Sequence, residues 1–150
     1  MTNLETHRDQ LIQLFNNQYF MVLATQSEGE LHTNLVSFAS SSDLQWFYFI
    51  TPKASRKFQN LKENPRVSLF IDNRSNTVQD IEEAMGVTVV GEAEEVPQDD
   101  IPDRLNLFLQ KHGYLHDFAH APGSCLVRVR VKRYRLVTRF QEVVDIILDD

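Results

Sequence analysis

Apolar positions along this chain change period several times, and each change marks an element. Leu4, Leu11, Ile12 and Phe15 recur at helical spacing behind Thr2 and Glu5, which have the separation of a capping box, so a helix opens the chain. Tyr19 to Thr25 then reads as a strand, Ser27-Glu28-Gly29 as a turn, and Leu31 to Ala39 as the returning strand. Ser40-Ser41-Ser42-Asp43 makes a second turn. Trp46-Phe47-Tyr48-Phe49-Ile50 is an unbroken apolar run too short for a helix, which predicts a strand buried on both faces. Ser55 stands where it can cap a short helix carrying Phe58, Leu61 and Lys62, and Asn64-Pro65 stops it. Further strands are expected at Val67 to Ile71, Val87 to Val96 and Leu126 to Val137, with a tail from Val143 to Leu148. Between them a helix runs from about Gln98 to His112, with Ile101, Leu105, Phe108 and Leu109 on one face and Pro102 in the first turn, where its missing N–H is harmless.

Six strand-like runs, mostly joined by short turns, favour an antiparallel barrel that closes its own edges. The expected class is mainly β (α+β), with a few peripheral helices. No repeat or low-complexity linker divides residues 1–150, and that length suits one core. Composition narrows the function classes. No apolar stretch approaches the ~20 residues of a membrane-spanning helix. Met1-Thr2-Asn3-Leu4-Glu5 lacks the basic start and apolar centre of a signal peptide, so a cytoplasmic location is expected. Cys125 is the only cysteine, which excludes an intrachain disulfide and any cysteine-cluster metal site. A net charge of −6 argues against a nucleic-acid partner.

Against that acidic background, one short segment is basic. Lys53, Arg56 and Lys57 crowd the start of the helix capped by Ser55, where the helix dipole is already positive, and no Asp or Glu lies between Asp43 and Glu63. A bound anion would resolve the conflict, because free N–H groups, hydroxyls and cations together make a phosphate cradle; a solvated basic turn is the other reading. His112, His116 and His120 recur every four residues. On one continuous helix they would stack on one face as a metal or haem site, but Gly113 and Pro122 interrupt the run, so surface or loop histidines are expected and no metal ligand is assigned. Arg128, Arg130 and Lys132 alternate with valines, giving a strand one basic face, expected to be solvated. Asp72-Asn73-Arg74-Ser75-Asn76 reads as a polar turn.

Thr51-Pro52-Lys53-Ala54-Ser55-Arg56-Lys57 followed by Glu63-Asn64-Pro65-Arg66-Val67-Ser68-Leu69-Phe70 closely resembles the FMN-phosphate segment of pyridoxamine 5'-phosphate oxidases and the wider FMN-binding split-barrel superfamily. Val22-Leu23-Ala24-Thr25, Glu28-Gly29 and Val87 to Val96, with its Gly-x-Ala-x-x-Val ending, extend the resemblance over about residues 20–96. It implies a split β-barrel that is a homodimer with FMN between subunits. Arg56 and Lys57 would hold the phosphate, assisted by Thr51 and Ser55; backbone groups of Val36, Ser37 and Ile50 would line the flavin ring, and Arg74 would lie near it. No catalytic residue is assigned, because a flavin carries the redox chemistry itself. The implied function is FMN-dependent oxidoreduction, with a reduced nicotinamide as donor and a small-molecule substrate that the residues do not identify. Haem binding or breakdown, a deazaflavin in place of FMN, and a non-enzymatic electron carrier are the alternatives.

The chain departs from the vitamin B6 oxidases themselves. Thr33-Asn34-Leu35-Val36-Ser37-Phe38 carries none of their strand cations. Tyr114-Leu115-His116-Asp117-Phe118-Ala119-His120 replaces the Arg- and Ser-rich segment that grips the substrate phosphate, and the C-terminal Trp and Arg-x-His elements are absent. These losses argue against vitamin B6 oxidation.

Overall fold

The computed structural model describes residues 2–139 and 142–148. The opening helix α1 (Asn3–Asn17) starts as its sequence directs: the Thr2 hydroxyl accepts from the Glu5 N–H at 3.1 Å, and the Glu5 carboxylate accepts from the Thr2 N–H at 3.0 Å. Leu11, Leu14 and Phe15 form its buried stripe. Eight strands follow: β1 (Phe20–Ser27), β2 (Glu30–Ser37), β3 (Ala39–Ser40), β4 (Trp46–Pro52), β5 (Arg66–Asp72), β6 (Gly86–Glu95), β7 (Ser124–Thr138) and β8 (Glu142–Ile147). Helices α2 (Arg56–Glu63), α3 (Asp80–Glu83), α4 (Ile101–Lys111) and α5 (His116–His120) lie between them.

The strands form one curled antiparallel sheet in the order β2-β1-β5-β6-β7-β4-β3, with β8 beside β7. The 15-residue β7 organises it. One edge of β7 takes β6 from Val127 to Val137; the other takes β4 over Ser124 to Arg130 and β8 over Arg133 to Thr138. The six expected strands are therefore all present. The returning strand expected over Leu31 to Ala39 breaks at Phe38 into β2 and the two-residue β3, and the tail becomes β8, which continues the sheet where β4 leaves off. The expected helix from Gln98 resolves into a 3-10 turn over Gln98–Asp100 and then α4, with Pro102 in its first turn.

β4 is buried on both faces, as an all-apolar strand must be. Phe47 and Phe49 enter the barrel core, where the Phe15 ring meets Phe47 edge-on at 5.0 Å and the Tyr134 hydroxyl donates to the Leu44 carbonyl at 2.6 Å. Tyr48 and Ile50 point the other way, into a second apolar layer formed with Phe108 of α4, Val96 and Leu126. Burying these rings on both sides contributes ~1.5–3 kcal/mol per large side chain.

Gly91 shows why one motif glycine is needed. The β6–β7 register shifts between Val90 and Gly91, and a β-carbon at 91 would run into the Arg130 carbonyl oxygen and come within 2.8 Å of Val129 Cγ1. Such a clash cannot be relieved by turning a side chain, because backbone is the obstacle. Gly91→Ala is expected to lower stability by about 1–3 kcal/mol in chemical denaturation. An unchanged midpoint would show that β7 gives way at the bulge.

Candidate functional site

The basic segment folds into a tied corner between β4 and α2. Thr51 pairs with Cys125 at the start of β7, and the Lys53 N–H donates to the Gly123 carbonyl at 2.8 Å. Gln59 Nε2 closes the turn from the other side on the Lys53 carbonyl at 3.0 Å. Ser55 caps α2: its extended backbone (φ −74°, ψ 153°) lets its Oγ accept from the Phe58 N–H at 3.2 Å. Thr51, fully buried, hydrogen-bonds the same hydroxyl at 2.9 Å and fixes its orientation. Asn60, also buried, donates to the Thr25 hydroxyl at 3.1 Å and pins the helix to β1.

With Phe58 served by Ser55, the N–H groups of Arg56 and Lys57 are the first-turn donors that a helix cannot satisfy within itself. The first turn of α2 contains no acid. Among the described residues, Arg56 and Lys57 take part in no ion pair, and Arg56 is exposed. Arg56 and Gln59 border a depression of about 410 Å³, faced by Ser27, Glu28, Glu30 and His32 of the β1–β2 hairpin. One hydroxyl proton of the Thr51–Ser55 pair, two free backbone donors and two uncompensated cations at a positive helix end form a donor set suited to a phosphate monoester.

Lys53 corrects the expectation of three uncompensated cations. Glu95, at the end of β6, lies 4.0 Å from Lys53 Nζ and 3.3 Å from Lys62 Nζ, and its Oε1 accepts from the Cys125 thiol at 3.1 Å. Together the thiol hydrogen bond and the two lysines hold its carboxyl below the usual carboxylate range. Burial, and then the Glu95 carboxylate, push the Cys125 thiol up to about 12. It is therefore expected to react with a disulfide reagent at neutral pH far more slowly in native protein than in denatured protein, because only the thiolate attacks. Equal rates in the two states would overturn that. Sequence reading missed Glu95 and Cys125, since only the β6–β7 pairing brings them to the cradle.

The remaining candidates divide. Ala39 pairs with Tyr48, which brings the end of β2, with Val36 and Ser37, close to β4, with Ile50 and Thr51. The Val36 and Ile50 side chains are buried. Arg74 is not brought to this corner within the chain. Its Nε pairs with Asp72 Oδ2 at 2.8 Å beyond the far end of β5, and Asp72 lies opposite Gly86 near the other end of β7.

The histidine run is split by the chain. His112 caps α4 and is fully buried, with Nε2 at 2.7 Å from the Phe38 carbonyl and Nδ1 at 3.0 Å from the Tyr114 hydroxyl. His116 and His120 sit on the exposed side of α5, so the three share no face. Among the described residues no group of three or more potential ligands could hold a metal ion. Arg128 does not have the expected solvated setting: only about a fifth exposed, it pairs with Glu94 at 2.6 Å and lies 4.5 Å over the Trp46 ring.

A curled antiparallel sheet with this strand order and peripheral helices is a split barrel of the pyridoxamine 5'-phosphate oxidase type. A family model described as pyridoxamine 5'-phosphate oxidase matches residues 8–138, and the chain belongs to that family. Among solved structures it is similar to a heme binding protein from Mycobacterium smegmatis (TM-score 0.83, 18% identity over 93% of this chain), of which it spans 57%. It is similar also to a Clostridium acetobutylicum protein related to general stress protein 26 (TM-score 0.73, 16% identity, 97% of this chain and 96% of that one). A third is a FAD-binding protein from Mesorhizobium loti (TM-score 0.68, 19% identity, 85% and 89%). No curated protein matches the chain by sequence. Among the described residues, no helix is long and apolar enough to cross a membrane.

Proposed function

We propose that this protein binds FMN and works as an FMN-dependent oxidoreductase, in a homodimer whose cofactor sites lie at the subunit interface. The observation that carries the reading is the pair Arg56 and Lys57: cations without carboxylate partners at a helix start, beside the Thr51–Ser55 hydroxyl pair. A phosphate there would take the two free first-turn N–H groups and both side-chain charges, while Ser55 keeps the helix end formed. The backbone of Val36, Ser37 and Ile50 would border the ring system. A bound flavin would supply hydride or electron transfer, with a reduced nicotinamide as the proposed donor. The substrate-phosphate cations of the vitamin B6 oxidases have no counterpart in this chain, so another small molecule is the proposed acceptor.

The second reading, haem binding, is favoured by the similarity to the Mycobacterium smegmatis protein. Against it, His112 already spends both ring nitrogens inside the protein, and His116 and His120 project from a single exposed turn. An absorption spectrum of the purified protein, followed by titration with FMN and with haem, separates the two. Stoichiometric haem uptake that is lost in the His116→Ala/His120→Ala variant, with no FMN binding, would reverse the order of the readings.

The dimer has a specific face. The Trp46–Ile50 run is enclosed within the chain apart from the half-buried Trp46, whereas Val143 and Ile147 of β8 are exposed. A larger apolar patch lies on the outer side of β1, β2 and β5, where Leu31 is 77% exposed, Leu35 68%, Phe20 51% and Phe70 39%. Val22 pairs with Leu35 on one side and Phe70 on the other, so the patch is continuous across three strands. Sedimentation at low micromolar concentration is expected to give a dimer, and Leu31→Glu/Leu35→Glu a monomer with weakened FMN binding. A monomeric wild type that holds FMN tightly would overturn the interfacial site.

A further inference from the structure

We propose that Glu95 is the specificity-determining residue of the cradle: it holds the charge of Lys53 back from the anion, leaving Arg56 and Lys57 to grip the phosphate. The inference rests on the reading of the start of α2 as a phosphate site and adds to it the residue that sets its selectivity. Lys53, Arg56, Lys57 and Lys62 place four cations within ten residues, with no acid among the residues between them. Unopposed, such a cluster would attract any polyanion through its field, whatever the shape of that anion. Glu95 reduces it from outside the segment, lying within reach of Lys53 and Lys62 but not of the two cations that flank the free N–H groups. The carboxylate is held in place by more than charge, because the Cys125 thiol, anchored in β7 and largely buried, donates to the oxygen nearer Lys53. What remains at the helix start is an arrangement whose grip depends on geometry: two cations, two N–H groups and the one free hydroxyl proton of the Thr51–Ser55 pair around one phosphate.

The proposal differs from an ordinary surface ion pair in what it makes of Lys53. If Glu95 neutralises it, Lys53→Ala leaves FMN affinity nearly unchanged in the wild type, whereas Glu95→Gln tightens FMN by several-fold and inorganic phosphate by at least as much. The gain is cancelled when Lys53→Ala is added to Glu95→Gln, and it fades at high ionic strength. The experiment is this four-protein cycle. Each protein is titrated with FMN by fluorescence and with inorganic phosphate by the amide NMR shifts of residues 55–58. Equal affinities in wild type and Glu95→Gln for both ligands would overturn the role of Glu95 and leave the phosphate site standing. Phosphate binding that tightens in Glu95→Gln, with no FMN binding in any variant, would support Glu95 and overturn the flavin reading. Neither ligand binding any of the four would overturn both.

Discussion

Replacing Arg56 and Lys57 together with Ala is expected to yield a folded protein that has lost between tenfold and a few thousandfold in FMN affinity. Each charge-assisted hydrogen bond to a phosphate contributes on the order of 1.5–3 kcal/mol, with exposed groups at the lower end. Stability should move the other way. Neither side chain has an ion-pair partner among the described residues, and both stand at the positive end of α2. Each cation there costs ~0.3–1 kcal/mol, so the apo form of the double variant should unfold at the same denaturant concentration as wild type or slightly later. This opposite movement of binding and stability distinguishes a ligand site from a solvated basic turn. For a solvated turn, the stability gain would appear with no loss of binding. Fluorescence titration at fixed salt beside chemical denaturation reads both, and unchanged FMN affinity would end the assignment.

The basic corner at the start of α2 was legible in the sequence because its parts are contiguous. Thr51 to Lys57 form one turn and one cap, and the conflict between cations and helix dipole arises within a few residues. The strands were legible for the same reason: each short apolar run between turn residues has a single plausible state. What escaped depends on pairing across long separations. Glu95 and Cys125 are thirty residues apart and meet Lys53 only through the β6–β7 and β4–β7 ladders. The solvent-facing apolar patch escaped because it forms only when β1, β2 and β5 pair, while the aromatic β4 is covered on its outer side by α4. The break in the histidine run was legible from Gly113 and Pro122, but nothing local showed that His112, expected with the others at the surface or in a loop, would be buried against Phe38 and Phe108.

His112 carries the second large effect. A carbonyl can only accept, so His112 Nε2 must be the protonated nitrogen that donates to Phe38, and Nδ1 then accepts from the Tyr114 hydroxyl. The ring packs 4.7 Å from that of Phe108 and joins the end of α4 to the break between β2 and β3. His112→Ala would leave a buried carbonyl without its donor and a cavity beside Phe108, for a loss of about 2–4 kcal/mol. Burial, reinforced by the charge of Lys111, moves the His112 pKa down despite the opposing Phe38 hydrogen bond. The unfolded chain therefore takes up the proton first as pH falls. The stability that neutral His112 contributes is complete above its unfolded value of ~6.5 and is lost progressively below it. Lys111 gives a second window of the same sign. Its ammonium donates to the Phe15 carbonyl at 2.8 Å and lies 3.9 Å over the Phe38 ring, yet burial brings its pKa down to about 8 from 10.5. Stability should thus rise again between about pH 8 and 10.5, where the unfolded chain holds the proton more tightly. Denaturation at pH 5, 7 and 9.5 is expected to show both arms in wild type. Lys111→Met should flatten the alkaline arm and slightly reduce the acid one, since its charge adds to the His112 shift, whereas His112→Gln should flatten the acid arm. An acid arm of equal slope in His112→Gln would mean that carboxylates elsewhere set it, and that the buried imidazole is not the group being titrated.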